Sequence, residues 1–270
     1  MRPPLLPPAA LAGVLMLAVA IPPAAADDLV EMRFEGYGAA GLHVMTTQTV
    51  ITENPGAYLI RGALETAGLG AVFANVASHS ETRGRETGDR PQPESFDSET
   101  ARNGVVQHNR VDYPPDSLPS GSSMPPPAEP VTPIDARQLA GAVDSLTAYL
   151  LVERQVARGG GCMLNVPVFD GRHRYNLRFS DAGNQVLSPA AGQKFSGPVH
   201  ACRMVRDEIG GFYVDRSHAE GARAGTIWYA QLMPGDLAIP VRMEMETEIG
   251  AVSIYLSQLH GRGVSLRLMD

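Results

Sequence analysis

Lysine is almost missing from this chain: Lys194 is the only one, and every other strongly basic residue is arginine. Basic residues are also outnumbered, 22 against 29 acids, for a net charge of −7. Without the first 26 residues, which contain Arg2 and no acid, the balance is 21 against 29, or −8. A negative field opposes nonspecific nucleic-acid binding, which depends on displacing counterions from phosphate. Cysteine is scarce too, with only Cys162 and Cys202 and no Cys-x-x-Cys spacing. No Gly-x-Ser-x-Gly elbow occurs, and neither Gly68-Leu69-Gly70 nor Gly210-Gly211 leads into Gly-Lys-Ser/Thr, so the signals for a serine hydrolase and a phosphate loop are lacking. The longest apolar run, Leu11 to Ile21, is too short and too closely flanked by proline for a convincing membrane-spanning helix.

That run instead has the form of a secretory leader. Arg2 supplies the positive start, Leu11 to Ile21 the apolar stretch, and Ala24-Ala25-Ala26 a small-residue cleavage site before Asp27-Asp28. Residues 1–26 are therefore expected to be a cleaved signal peptide, and the mature chain, 27–270, to be periplasmic. Two cysteines in an exported chain point to a single Cys162–Cys202 disulfide, with a redox-active pair as the alternative. Closing a loop of about 40 residues is worth roughly 4 kcal/mol in the chain-entropy model.

The mature chain reads as a succession of strands. Val30, Met32 and Phe34 alternate with Glu31, Arg33 and Glu35, and Asn54-Pro55-Gly56 separates two threonine- and apolar-rich runs, Leu42–Thr52 and Ala57–Thr66. Val72–Ser80, Glu94–Arg102 and Val105–Tyr113 continue the series, as do Val199–Ile209, Gly225–Met233, Leu237–Met245, Ile249–Leu259 and Val264–Met269 beyond a turn-rich Asp181–Pro198. The clearest hairpin is Cys162 to Phe179, where Asp170-Gly171 is the pair favoured in a two-residue type I′ turn. A two-residue loop predicts Phe169 opposite Arg172, Val168 opposite an inward-facing His173, Val166 opposite Tyr175, Leu164 opposite Leu177 and Cys162 opposite Phe179. Arg172, Arg174, Asn165, Asn176 and Arg178 would then share the solvated face.

Pro114 to Val131 is rich in proline and serine and reads as a mobile loop. A helical insert is expected over 132–158. Thr132-Pro133-Ile134-Asp135 has the signature of one helix start, Asp144 would cap a second helix carrying Leu146, Tyr149, Leu150 and Val152 against the sheet, and Gly159-Gly160-Gly161 would end it. The expected fold is mainly β: one single domain of about 11 to 13 strands by turn spacing, forming a large curved antiparallel sheet or partly closed β-barrel, with the short helical insert packed on one side.

The ordered series Val143-Asp144-Ser145-Leu146, Cys162, Pro167-Val168-Phe169-Asp170-Gly171-Arg172, Tyr175, Gly197-Pro198, Cys202, Ile227-Trp228 and Pro240-Val241-Arg242 resembles the exported bacterial family known as domain of unknown function 3108, over about Tyr37 to Leu259. Ser145 stands where that pattern commonly has proline. The resemblance implies an envelope β-rich protein and no activity. More distantly the chain is similar to open β-barrels of the lipoprotein-carrier (LolA/LolB-like) type, a likeness of fold alone.

Residues able to do chemistry all have bland explanations. His43, His79, His108, His173, His200, His218 and His260 are scattered, without the close pairs of a zinc site. Glu244, Glu246 and Glu248 alternate along one strand face, and Asp207-Glu208 reads the same way. Asp144 is explained as a cap and Asp170 as a turn residue. One of Trp228 and Tyr229 must face inward. No catalytic, cofactor-binding or metal-binding residue is assigned, no cofactor is expected, and the chain is not expected to be an enzyme. The expected role is a noncatalytic envelope protein binding an apolar ligand, a lipid or lipoprotein, in its curved sheet. The alternative is a structural or assembly factor acting through the sheet edge or the proline-rich loop.

Overall fold

A computed structural model of the chain describes residues 28–73, 75–88, 90–215, 221–233, 235–247 and 250–269. The leader, 1–26, lies outside the described residues. The first half of the chain supplies β1 (Asp28–Tyr37), β2 (His43–Asn54), β3 (Ala57–Thr66), β4 (Val76–Thr87), β5 (Arg90–Arg102), β6 (Val105–Asp112) and β7 (Ser120–Met124), with a short helix α1 (Gly68–Phe73) between β3 and β4. Helix α2 (Ser145–Ala157) follows. The second half supplies β8 (Leu164–Phe169), β9 (Arg174–Leu187), β10 (Gly197–Gly210), β11 (Ala224–Ala230), β12 (Ile239–Thr247), β13 (Gly250–Gly261) and β14 (Val264–Arg267).

All fourteen strands belong to one antiparallel sheet. Within each half, strands adjacent in sequence are adjacent in space, the pairing that tight turns such as Asn54-Pro55-Gly56 impose. The halves join where β1 pairs with β13, Val30 opposite Gly261 and Tyr37 opposite Ser253. The inward row of β1, Val30, Met32 and Phe34, is almost fully buried, as period-2 alternation predicts. It packs with Ile51, Ile60, Leu177, Ile227, Leu256 and their neighbours into one core.

The sheet curls without closing. At one end is the β7 edge. At the other, the β8 edge is covered by the segment before α2: Val143 donates to the Pro167 carbonyl and Phe169 to the Val143 carbonyl, both at 2.9 Å. The two ends nevertheless touch. A Cβ on Gly121 of β7 would lie 2.8 Å from the Gly171 Cα at the tip of the β8–β9 hairpin, so this approach requires glycine. Beside it the Tyr113 hydroxyl donates to the Phe169 carbonyl at 2.6 Å, within a small second core of Phe96, Val111, Tyr113, Ala142 and Phe169.

Several local expectations are corrected. The β8–β9 register is two residues away from the predicted one: Leu164 faces Phe179, Val166 faces Leu177 and Val168 faces Tyr175. Asp170 is the cause. Its Oδ1 accepts from the backbone N–H of Arg172 at 2.9 Å and of His173 at 2.6 Å, folding a four-residue loop in place of a two-residue one. A shift of two preserves the apolar face but moves His173 into the loop. Arg174 is buried, not solvated, its Nε donating to the Gln138 carbonyl at 2.6 Å beneath the segment that precedes α2.

Further differences fall in the connections. Pro114–Val131 contains β7. Half of Asp181–Pro198 is strand, since β9 runs to Leu187 and β10 begins at Gly197. Thr132 caps no helix. Asp135 instead caps a single 3-10 turn, Ala136–Leu139, in a capping box with Gln138. The strand count exceeds the expected 11 to 13 because β7, five residues long, lies inside the proline- and serine-rich segment.

Candidate functional site

Helix α2 runs along the inside of the curl, and polar residues hold both its ends. Asp144 caps it as the sequence predicts. The buried carboxylate accepts from the Thr147 N–H (2.9 Å), the Thr147 hydroxyl (2.6 Å) and the Thr82 hydroxyl of β4 (2.7 Å). Burial raises its pKa, and these hydrogen bonds oppose the rise. Tyr58 of β3 adds a hydroxyl contact to Thr147 at 2.9 Å. At the other end Arg154 pairs with Glu53 of β2 and Glu86 of β4, and Glu53 also receives Arg262, which pairs in turn with Asp28 and Asp236. Burial would raise the Glu53 pKa, but hydrogen bonds from Arg262 and Arg154 hold it below the ordinary carboxylate value.

Between these anchors, α2 and both halves of the sheet line a cavity of ≈ 580 Å³ that is partly open to solvent. The volume falls in the range typical of small-molecule sites. Its walls are chiefly apolar, with Phe34, Ile51, Ile60 and Leu64 from the first half and Ile227 and Ile254 from the second. Five of the chain's 11 methionines, Met32, Met45, Met204, Met243 and Met245, line it as well. Thioether side chains with three rotatable bonds adapt to different ligand shapes. Two other hollows, of ≈ 640 and ≈ 750 Å³, are charged: one lies at the Arg154–Arg262 cluster, the other among Arg61, Glu81, Asp97 and Arg110.

Sequence reasoning passed over one cavity residue, Glu153, which is 6% exposed. Its place was readable in the helical spacing, because Ser145, Tyr149 and Glu153 recur at i, i+4 and i+8 and so share a face. Burial, with the Glu53 charge adding and Arg154 opposing, pushes its carboxyl up to about 8. Tyr229 turns inward to the cavity wall, while Trp228 hydrogen-bonds Gln185 at 2.9 Å.

The residues singled out in the sequence do not converge on a site. Cys162 and Cys202 are joined in a disulfide with a Cα–Cα separation of 5.6 Å. His200 lies against it, and among the described residues Cys162, His200 and Cys202 are the one group with ligand atoms as close as a metal site requires. Both sulfurs are committed to each other, so in this redox state the group offers a single imidazole, itself 2.5 Å from Asp181. Asp170 is held below its ordinary pKa despite burial, chiefly by His173 at 3.0 Å and by backbone N–H groups. His43 contacts Glu35 at 2.8 Å and His108 contacts Glu99 at 3.4 Å. His79 and His260 are exposed, and His218 lies outside the described residues. Glu244 and Glu246 are exposed on one strand face, Glu248 lies outside the described residues, and Asp207 and Glu208 are paired with Arg178 and Arg206 at 2.9 Å each.

A crystal structure from Brucella abortus, a beta-barrel-like protein of domain of unknown function DUF1849, is similar at 11% identity and a TM-score of 0.48, covering 86% of this chain and 96% of that one. No curated protein sequence matches. Among the described residues no helix is long and apolar enough to cross a membrane. The sequence model of the proteins of unknown function DUF3108 matches residues 31–257, nearly the whole sheet and all of α2, and the chain belongs to that family.

Proposed function

We propose that this protein is a noncatalytic, exported binding protein of the cell envelope that holds an apolar ligand, a lipid or the acyl group of a lipoprotein, in the cavity between α2 and the curled sheet. The observation that carries the reading is the cavity itself: ≈ 580 Å³, walled by core residues of both sheet halves and by methionine. A hollow of this size, partly open to solvent and lined chiefly by apolar side chains, is the kind of site an apolar guest occupies. Export accords with the leader-like N-terminus and with the disulfide. The alternative, an assembly factor recruiting a partner strand, has a narrower basis. The β8 edge is already covered by Val143, and β7, the edge strand at the opposite end of the sheet, is exposed but only five residues long.

Titration of mature protein, delipidated and then refolded, with the neutral fluorophore 1-N-phenylnaphthylamine tests the reading. Saturable fluorescence enhancement is expected, lost in Met243→Trp, whose indole would fill the cavity while circular dichroism reports an unchanged sheet. No saturable signal in the wild type, or equal signals in both proteins, would overturn it. Native mass spectrometry of protein taken from the periplasm should show an adduct of lipid mass. N-terminal sequencing of the same material should begin at Asp27.

A further inference from the structure

The cavity face of α2 carries one acid. Ser145, Leu146, Tyr149 and Leu150 line the cavity with Glu153, yet the Glu153 Oε2 has no hydrogen-bond partner among the described residues. A buried polar atom left unpaired costs stability. The charged and titratable groups that reach Glu153 are Glu53 of β2, Arg154 of its own helix, and the phenols of Tyr149 and of Tyr229 on β11. Arg154 is already engaged by Glu53 and Glu86. Arg206 also lines the cavity, but its guanidinium is paired with Glu208 at 2.9 Å and lies over the Phe212 ring at 5.2 Å. Held neutral at ordinary pH by burial and by the Glu53 charge, the Glu153 carboxyl can donate its proton in a hydrogen bond.

Building on the apolar-cavity reading, we propose that Glu153 is the head-group contact of the cavity and that the ligand is a fatty acyl ester or amide: its chain lies along the methionine-lined wall and its carbonyl oxygen accepts a hydrogen bond from the Glu153 carboxyl. Solvation selects a neutral head. An ammonium group would require Glu153 to ionise in the same low-dielectric space, and a carboxylate would add a second negative charge near Glu53. A carbonyl uses the proton on offer with no charge to bury. The acyl carbonyl has two natural sources, a glycerolipid ester and the amide of an acylated protein.

Displacement of 1-N-phenylnaphthylamine by four competitors tests this: monopalmitoylglycerol, an N-palmitoyl glycyl peptide, hexadecane and hexadecylamine. The wild type is expected to bind at least one acyl compound about tenfold tighter than hexadecane, and which of the two wins identifies the source. In Glu153→Leu the acyl and alkane affinities should converge. Glu153→Gln, whose amide still donates, should restore the preference. That preference should fall as pH rises past about 8 in the wild type but not in Glu153→Gln. Equal affinities for hexadecane and both acyl compounds in the wild type, an unchanged preference in Glu153→Leu, or tightest binding of hexadecylamine would overturn the head-group assignment while leaving the cavity reading intact. Failure of the fluorophore to bind the wild type would overturn both.

Discussion

At the scale of single residues, Glu153 links stability to pH with an unusual sign. Unfolded, its carboxyl has the ordinary value of 4.5; folded, it is pushed up to about 8. Between those values the folded protein holds a proton that the unfolded chain has lost, so this residue makes stability fall as pH rises, with the full penalty present above the folded value. Asp170 and Glu53, both held low in the fold, act in the opposite sense, and their contributions are lost as pH falls through their folded values. Subtracting the Glu153→Gln curve isolates the first effect. Urea unfolding at successive pH values should show wild type and variant converging below pH about 4.5 and the variant gaining between there and about 8. Curves that stay parallel would mean the carboxyl is solvated in the native state.

At the scale of elements, α2 shows what local sequence does and does not reveal. Its cap, its apolar contacts and its glycine stop were all readable, because capping and 3.6-residue spacing are local properties. Asp144→Ala removes three hydrogen bonds and strands the buried Thr82 hydroxyl, which should cost about 1–3 kcal/mol. Urea midpoints at fixed m-value measure it, and a loss confined to a few tenths would show that water takes over the cap.

The β8–β9 hairpin marks the limit of such reading. Alternation gave the correct apolar face, since that depends only on parity. The register slipped by two because Asp170-Gly171 is compatible both with a tight turn and with a loop capped by the Asp170 carboxylate, and the sequence does not say which the neighbouring chain prefers. Arg174 is a similar case. A solvated strand position became buried when a segment more than thirty residues earlier folded over it, giving Gln138 as its partner. The candidate site was legible only as an expectation of a curved sheet under a helix. The cavity depends on how much space remains after distant strands pack, and no local pattern encodes that.

At the scale of the whole molecule, the β1–β13 seam has a consequence for the order of folding. β1 to β7 and β8 to β13 are meanders of local pairings, but the seam places Val30 opposite Gly261, nearly the full length of the chain apart. Pairings so distant in sequence are entropically late, because the chain between them must be ordered or closed as a loop first. Pulse-labelling hydrogen exchange during refolding should therefore find the β2–β3 and β9–β10 amides protected before those that β1 and β13 exchange, and simultaneous protection would argue for a single concerted collapse. The cavity has walls on both sides of that seam. Each half of the chain supplies only part of the cavity wall, so late pairing at the seam would complete the cavity late, and the guest proposed above would enter a finished container and not be wrapped by a growing one.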